Sequence, residues 1–171
     1  MSSLTRRAFG SLVSGCTVSI AAEAASGVAA ASGKPVLTLS GRISPPGGTS
    51  SVSFDMTALE NLGLDGFETT TPWYNGPVRF EGIRMTRLLR AVGATGETVT
   101  AVALNDYSTD LPISDLEKYG VILATKRDGS YMPIRDKGPL FIVYPYDSAP
   151  ELRAQRYYSR SAWQVTKLII I

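Results

Sequence analysis

Aromatic and amide side chains stand together between two prolines, at a place where they could bind a flat molecule. The run is Trp73, Tyr74 and Asn75, between Pro72 and Pro77. Two aromatic rings and an amide suit stacking on a heterocycle or a quinone, with one group left to hydrogen-bond it. The alternative is structural, because Trp73 could equally pin a loop to the core.

A second polar group, Asn105, Asp106 and Tyr107, follows directly after an apolar run typical of a strand. Polar residues at the end of a strand often line a pocket. The alternative is a turn in which Asp106 bonds its own backbone. Both interpretations remain open at the level of sequence.

A third group combines phenols with arginines. Tyr146 ends the most strongly apolar run of the chain, and Arg156 and Arg160 follow shortly after it. Planar guanidinium donors beside a phenol are what an oxyanion or phosphate pocket needs. The alternative is that these arginines stack on Tyr157 or Tyr158 at the surface.

Two features of the composition exclude whole classes of chemistry. The 171 residues include no histidine, which excludes a Ser-His-Asp triad, a histidine metal site and a histidine general base. The one cysteine, Cys16, lies near the N-terminus. The chain beyond it has no thiolate for a metal, a nucleophile or a disulfide, so we expect no metal-ligating set of residues.

Charge and hydropathy describe an ordinary compact protein. The chain is 44% hydrophobic and 19% charged, with a formal net charge of +2. No basic run occurs, and we therefore expect no nucleic-acid partner. A body of about 140 residues is long enough to bury a core without metals or crosslinks.

Residues 1–32 have the pattern of an export signal. Arg6-Arg7 precedes a weakly apolar run, small residues follow, and Ala22-Glu23-Ala24 fits a cleavage site. The run LTRRAFG resembles a twin-arginine signal. LVSGC also resembles a lipobox, which would lipidate Cys16, and an ordinary N-terminal helix is a third option. We expect export to a periplasm, with no membrane span in the mature chain.

The remaining residues, 33–171, predict one domain of many strands and a few short helices. Alternation predicts strands within KPVLTLSGRI, TVTAVALNDY and SAWQVTKLIII. The strongly apolar run GPLFIVYPYD is typical of an interior strand. Asp128-Gly129 predicts a hairpin turn. TTTPWYNGP is predicted as a loop, because Pro72 and Pro77 argue against a central strand.

Short helices are predicted from their caps and apolar faces. Asp55 is placed to begin one helix. Leu88, Leu89 and Val92 form an apolar helical face. A capping box of Ser114 with Glu117 is predicted to begin a third helix. No long helix follows each strand, so the expected class is α+β with a mostly β core.

The ordered motifs of the chain resemble a known family. The series FEGIRMTRLLRAVGA, AVALNDYSTDLPISD, GVILATKRDG, MPIRDKGPLFIVYPYD and YYSRSAWQV resembles the molybdopterin-binding domain of the sulfite-oxidase and methionine-sulfoxide-reductase superfamily. The likeness runs from about Val36 to Ile171 and is greatest with small stand-alone exported members. It implies a sulfite-oxidase-like fold that holds molybdenum on a pterin. In the redox enzymes of that family, a cysteine thiolate ligates the metal.

This sequence departs from the family at the metal ligand. Counting back from Trp73 places Thr69 where the resemblance implies the cysteine. A hydroxyl is a hard, weak ligand where molybdenum prefers sulfur. The expected cofactor is therefore none or molybdopterin, and Arg160 resembles a basic residue that family members place near the pterin phosphate or a substrate anion.

Three functions follow as hypotheses. The first is an exported binding module whose pocket holds a small anion, a heterocycle or a partner protein. The alternative is a periplasmic molybdopterin-dependent oxidoreductase with unusual metal ligation. The third is a structural partner of a redox chain or a signalling protein. Whether the protein is an enzyme is left open by the sequence.

Overall fold

The computed structural model describes residues 33–171, and the structural statements below concern that part of the chain. Within residues 33–171, ten strands, four α-helices and two short 3-10 helices confirm the expected α+β class, rich in strands. The strands are β1 (Leu37–Gly41), β2 (Ser51–Phe54), β3 (Asp65–Thr71), β4 (Tyr74–Arg84), β5 (Thr98–Ala103), β6 (Ser108–Pro112), β7 (Ile122–Arg127), β8 (Ser130–Tyr131), β9 (Phe141–Val143) and β10 (Val165–Ile170). The helices are α1 (Met56–Glu60), α2 (Met85–Ala91), α3 (Ile113–Tyr119) and α4 (Gln155–Arg160), with 3-10 turns at Ile134–Asp136 and Pro150–Leu152.

The first sheet places the end of the chain at its centre. Its strand order is β2-β1-β10-β5-β6, in which β10 runs parallel to β1 and antiparallel to β5. A bulge between Val165 and Lys167 shifts the alternation of β10, so that Val165 and Leu168 are both buried. The predicted closing strand is thus confirmed, and it is a central one.

The second sheet is built around the long strand β4. Its order is β3-β4-β7-β8, with β9 also pairing with β7. At Gly82 the backbones of β4 and β7 approach so closely that a Cβ atom would clash with the carbonyl oxygen of Leu123. Only glycine fits this crossing without moving one of the two strands.

Both sheets and α2 contribute to one apolar core. Leu39 and Leu168 come from the first sheet, Phe80 and Leu123 from the second, and Leu88 from α2, all without solvent exposure. Burying one such side chain contributes about 1.5–3 kcal/mol. The predicted helical face of α2 is therefore confirmed as a core face.

The prediction of a loop at residues 69–77 was wrong. β3 continues to Thr71 and β4 begins at Tyr74, so that Pro72 and Trp73 form a tight hairpin turn. Pro77 lies opposite Thr70 on a part of β4 that β7 does not reach, because β7 pairs only from Phe80 onward. A missing N–H is tolerated at such a one-sided position.

Two of the predicted turn and cap positions are confirmed, and one is wrong. Asp55 begins α1 by accepting a hydrogen bond from the N–H of Ala58 at 2.7 Å. Asp128 and Gly129 form the predicted hairpin turn, with φ angles of 49° and 78°. The capping box was wrong: Ser114 lies inside α3, whose N-cap is Pro112.

The predicted export signal, residues 1–32, lies outside the described residues and stays a prediction. Within residues 33–171, none of the helices is both long enough and apolar enough to cross a lipid bilayer.

Candidate functional site

A pocket of about 380 Å³ opens where the β3–β4 turn, the β5–β6 turn and α4 meet. These three segments are far apart in sequence, and the two turns belong to different sheets. Indole, phenol, amide and hydroxyl groups make up most of the lining. The lining residues are Pro72, Trp73, Ala103, Asn105, Tyr107, Gln155, Tyr158, Ser159, Ser161, Ala162 and Trp163.

Trp73 is both a pocket wall and a packing residue. The hairpin turn projects its indole among four rings in edge-to-face geometry, at 5.5 Å from Phe141, 6.0 Å from Tyr158 and 5.7 Å from Trp163. The fourth ring is that of Tyr146. Aromatic pairs in this geometry hold one another in fixed orientations. The two interpretations of Trp73 are therefore compatible, because the same packing that pins the turn presents the indole to the pocket.

Two donors on residues that line the pocket have no hydrogen-bond partner among the described residues. The indole N–H of Trp73 and the hydroxyl of Tyr158 make no hydrogen bond to residues 33–171. In that part of the chain, no side-chain nitrogen or oxygen is buried without a partner. Both atoms are consequently accessible to solvent. Because their residues line the pocket, these two groups could donate hydrogen bonds to a ligand with acceptor oxygens.

The β5–β6 turn contributes Asn105 and Tyr107 but not Asp106. The side-chain oxygen of Asn105 accepts from the N–H of Tyr107 at 3.3 Å, and Asp106 has a positive φ of 61° at the tip of the turn. The hydroxyl of Tyr107 donates to the carbonyl oxygen of Ser159 at 2.8 Å. This bond ties the turn to α4. The turn and the pocket wall are thus one structure, with Asn105 in the backbone-bonding role predicted for Asp106.

Tyr146 lies beneath the pocket and is buried. Its hydroxyl shares a short hydrogen bond with Ser161, which itself lines the pocket, and its ring packs 5.1 Å from that of Tyr158. Burial raises the pKa of the Tyr146 phenol above its usual value. Tyr146 is therefore a neutral support for the wall and does not itself line the pocket.

Thr69, the position of the expected metal ligand, is a buried residue of β3. Its hydroxyl accepts from the backbone N–H of Asp147 at 3.1 Å and donates to the carbonyl oxygen of Thr70 at 3.3 Å. It is not among the pocket-lining residues. The hydroxyl is engaged in joining β3 to the loop after β9.

Asp147 completes that junction. Its carboxylate accepts from both the N–H and the hydroxyl of Thr70, at 2.5 and 2.6 Å, and pairs with Arg153 at 2.6 Å. The hydrogen bonds from Thr70, aided by Arg153, lower the pKa of Asp147 to about 2. The charged form of this residue is thus the one that the fold stabilises.

The two predicted arginines are not part of the pocket lining, although they belong to the same helix as several lining residues. The guanidinium of Arg156 stacks 4.6 Å from the ring centre of Tyr157 and bonds its hydroxyl, whereas Arg160 forms a short ion pair with Asp115. Neither is among the pocket-lining residues. This arrangement is the stacking alternative of the sequence analysis, with Asp115 as an added partner.

Tyr74 and Asn75 also lie outside the lining. Asn75 is exposed on β4. The hydroxyl of Tyr74 donates to Asp136 at 2.9 Å, and the guanidinium of Arg127 lies 4.5 Å from its ring centre. Burial raises the pKa of the Tyr74 phenol. Tyr74 therefore belongs to a charged cluster next to the pocket.

Sequence reasoning missed the contribution of α4. Gln155, Tyr158 and Ser159 all line the pocket, and their spacing of three and four residues places them on one face of a helix. That spacing was available as a signal. Ser161 and Trp163 stand in the run SAWQVTKLIII, which alternation predicts as a strand and not as part of a site.

The pocket is electrically neutral at its lining. No acidic or basic side chain is among its lining residues, and the polar groups there are amides, hydroxyls and an indole N–H. Within residues 33–171, acidic residues do not gather in a group of three or more that could hold a metal ion. Such a lining suits an uncharged ligand with one or two acceptor groups.

The fold and the site define a two-sheet α+β protein with a neutral aromatic pocket at the junction of its sheets. No family model matches the chain, and no curated protein matches it significantly.

Proposed function

We propose that this protein is an exported, stand-alone binding module of the molybdopterin-binding fold, without the molybdenum-ligating cysteine, whose pocket holds a small, flat, uncharged ligand. The ligand class is an uncharged heterocycle or a quinone. The single observation that carries the proposal is the neutral, aromatic lining of the pocket between Trp73 and Trp163.

The size of the pocket supports a ligand of one or two fused rings. Its volume of about 380 Å³ falls at the small end of the range of roughly 300–1,000 Å³ that ligand pockets span. Trp73, Trp163 and Tyr158 provide ring faces and edges for stacking. Apolar rings supply most of the binding energy in such sites, and a few polar groups orient the ligand.

The polar groups support an acceptor-bearing ligand. The indole N–H of Trp73 and the hydroxyl of Tyr158 are donors without a protein partner in the described residues, and the amides of Asn105 and Gln155 add further donors. A carbonyl oxygen of a quinone or a pteridine ring would accept from them. An anion would have to leave water with no cationic side chain in the lining, which is costly. Of the ligands expected from sequence, the heterocycle is therefore favoured over the anion.

The alternative, a molybdopterin-dependent oxidoreductase, receives less support. The Thr69 hydroxyl is buried, and both its donor and an acceptor site are used within the chain. Arg156 and Arg160 are turned to Tyr157 and Asp115. Thr69 therefore does not fit the role of a molybdenum ligand, and the two arginines do not fit the role of partners for the anionic groups of the cofactor. Protein matured in a molybdopterin-competent host should therefore carry no stoichiometric molybdenum by elemental analysis.

Isothermal titration of the purified chain with menadione and with lumazine tests the proposal. We expect one site for at least one of them, and binding at least about tenfold weaker for naphthoquinone sulfonate, because its charge would be buried without a partner. Ser159→Trp should abolish binding by filling the pocket, whereas Tyr131→Phe, outside the pocket, should leave it unchanged. No heat from either probe, or binding unaffected by Ser159→Trp in a folded variant, would refute the proposal.

A further inference from the structure

Exposed apolar side chains surround the mouth of the pocket. Leu104 is 51% exposed, Tyr107 46%, Ile134 58% and Trp163 37%. Tyr107 and Trp163 themselves line the pocket. Exposed apolar residues scattered singly need no explanation, but a contiguous group at a pocket mouth marks an interaction surface.

Backbone hydrogen bonds make these residues one surface. The N–H of Leu104 donates to the carbonyl oxygen of Gln164 at 3.0 Å, and the side-chain amide of Gln164 donates to the carbonyl oxygen of Ile134 at 2.7 Å. Trp163 precedes Gln164 in the chain, and the N–H of Ala103 donates to the carbonyl oxygen of Tyr107 at 2.9 Å. We call Leu104, Tyr107, Ile134 and Trp163 the mouth patch.

Two cations flank the mouth patch. Arg135 follows Ile134, and the Lys137 ammonium lies 5.2 Å from the ring centre of Trp163. Neither forms an ion pair with another residue of the described part of the chain. The carboxylate between them, Asp136, is neutralised by Arg127 at 2.6 Å. In the β5–β6 turn, Asp106 is the one acidic residue, so at the mouth patch two cations outside ion pairs stand against one carboxylate.

We infer that the mouth patch docks on an anionic lipid bilayer, with its rings and aliphatic side chains in the headgroup region and Arg135 and Lys137 on lipid phosphates. Tryptophan and tyrosine favour the membrane interface because their rings are apolar and their N–H and O–H groups remain hydrated. Basic side chains beside an inserted apolar group add attraction to anionic lipids. The complementarity of charge favours a lipid surface over an apolar protein partner.

Docking in this orientation would turn the pocket mouth towards the bilayer. A hydrophobic quinone dissolved there could then enter the pocket without crossing water. Docking does not depend on the proposed ligand, because the mouth patch and the cations contact lipid whether or not the pocket is filled. The two proposals therefore fail independently.

Flotation with lipid vesicles tests the inference. All variants are prepared in the same way, and their N-termini are matched by mass spectrometry. We expect the wild-type chain to float with vesicles of equal phosphatidylcholine and phosphatidylglycerol, and to float less as salt is raised. Arg135→Glu/Lys137→Glu should lower the partition coefficient at least roughly 30-fold, since each basic residue near such a surface is worth about a factor of five.

Matched controls come from the far ends of the strands. Leu64, 44% exposed, precedes β3, which spans roughly 20 Å to the pocket end. The backbone N–H of Arg42 donates to the carbonyl oxygen of Ile170 at the far end of β10. Leu64→Ser and Arg42→Glu should leave flotation unchanged, whereas Leu104→Ser/Trp163→Ser should reduce it strongly.

Any one of three results would overturn the inference. The first is that the wild-type chain does not float at low salt. The second is that the mouth-patch variants float as well as the Leu64→Ser and Arg42→Glu controls, and the third is that pure phosphatidylcholine vesicles bind the chain as well as the anionic ones. Capture of a protein by the patch together with absent flotation would also reject it, in favour of a protein partner. Because Trp163→Ser also removes a ring packed on Trp73, Leu104→Ser/Ile134→Ser, at two positions more than half exposed, is the second variant and should also reduce flotation. Circular dichroism confirms that each variant is folded.

Discussion

The Thr69 hydroxyl accepts a hydrogen bond from the backbone N–H of Asp147 at 3.1 Å, across 78 positions of the chain. The contact joins the end of β3 to the loop after β9. It places a structural hydroxyl at the position where the family resemblance implies a metal-binding thiolate. The bond therefore gives Thr69 a role in stability that is independent of any cofactor.

Thr69→Val should test that role. The substitution keeps the shape of the side chain but leaves the Asp147 N–H without its partner, which costs about 1–3 kcal/mol. Thr69→Ser retains the hydroxyl and should cost less. The free energy of unfolding in urea measures both. Equal losses for the two variants would show that the hydrogen bond contributes little.

Asp147 should make the protein sensitive to acid. Its pKa is lowered to about 2 from a usual value of 3.8, chiefly by hydrogen bonds from Thr70. A carboxyl group with a lowered pKa in the folded state stabilises the fold above its unfolded pKa, and this contribution is lost as the pH falls from about 4 to about 2. Asp147→Asn should therefore be less stable than wild type at neutral pH, and the gap should narrow towards pH 2. Thermal melting across that range measures it, and a gap independent of pH would contradict the assignment.

Tyr146 and Tyr158 should differ in what the loss of their hydroxyls affects. Tyr146→Phe breaks a buried hydrogen bond to Ser161 and should cost about 1–2 kcal/mol of stability. Tyr158→Phe removes a hydroxyl without a partner in residues 33–171, so stability should change by less than about 0.5 kcal/mol. The same Tyr158→Phe variant should bind menadione more weakly. A large stability loss in Tyr158→Phe would place its hydroxyl in the fold instead of the pocket.

Gly82 should not tolerate a side chain. Gly82→Ala would place a methyl group against the Leu123 carbonyl oxygen and force β4 and β7 apart, at a cost of about 3 kcal/mol, the upper end of overpacking. Gly129→Ala is the matched control: it has a φ of 78° but open space around it, so it should lose about 1–2 kcal/mol from backbone strain alone. Urea unfolding compares them, and the reverse order would refute the close approach.

Local signals predicted the strands and turns whose residues decide their own conformation. Asp128-Gly129 formed its hairpin turn because both residues accept positive φ, and Asp55 capped α1 because its carboxylate reaches the next turn. The loop predicted around Pro77 failed for a long-range reason. Whether a proline is tolerated in a strand depends on which neighbouring strand reaches it, and local sequence does not contain that information.

The pocket required the same long-range information. Trp73, Asn105 and Tyr107 were predicted as site residues and line the pocket, whereas Arg156 and Arg160 were predicted with them and face elsewhere. Which side of α4 faces the pocket is determined by how the helix packs against the rest of the protein. Tyr157 is buried on one side of it, and Tyr158 borders the pocket on the other.

The amino-acid sequence alone determined that imidazole chemistry is excluded, because a chain without histidine lacks that group however it folds, and that no thiol occurs after Cys16. It also determined the α+β class, since alternation and caps act over a few residues. The tertiary structure alone decided that a hydroxyl at Thr69 joins two segments and that three distant segments enclose a neutral pocket. Pairing between remote strands sets which side chains meet, and that pairing is a property of the whole core.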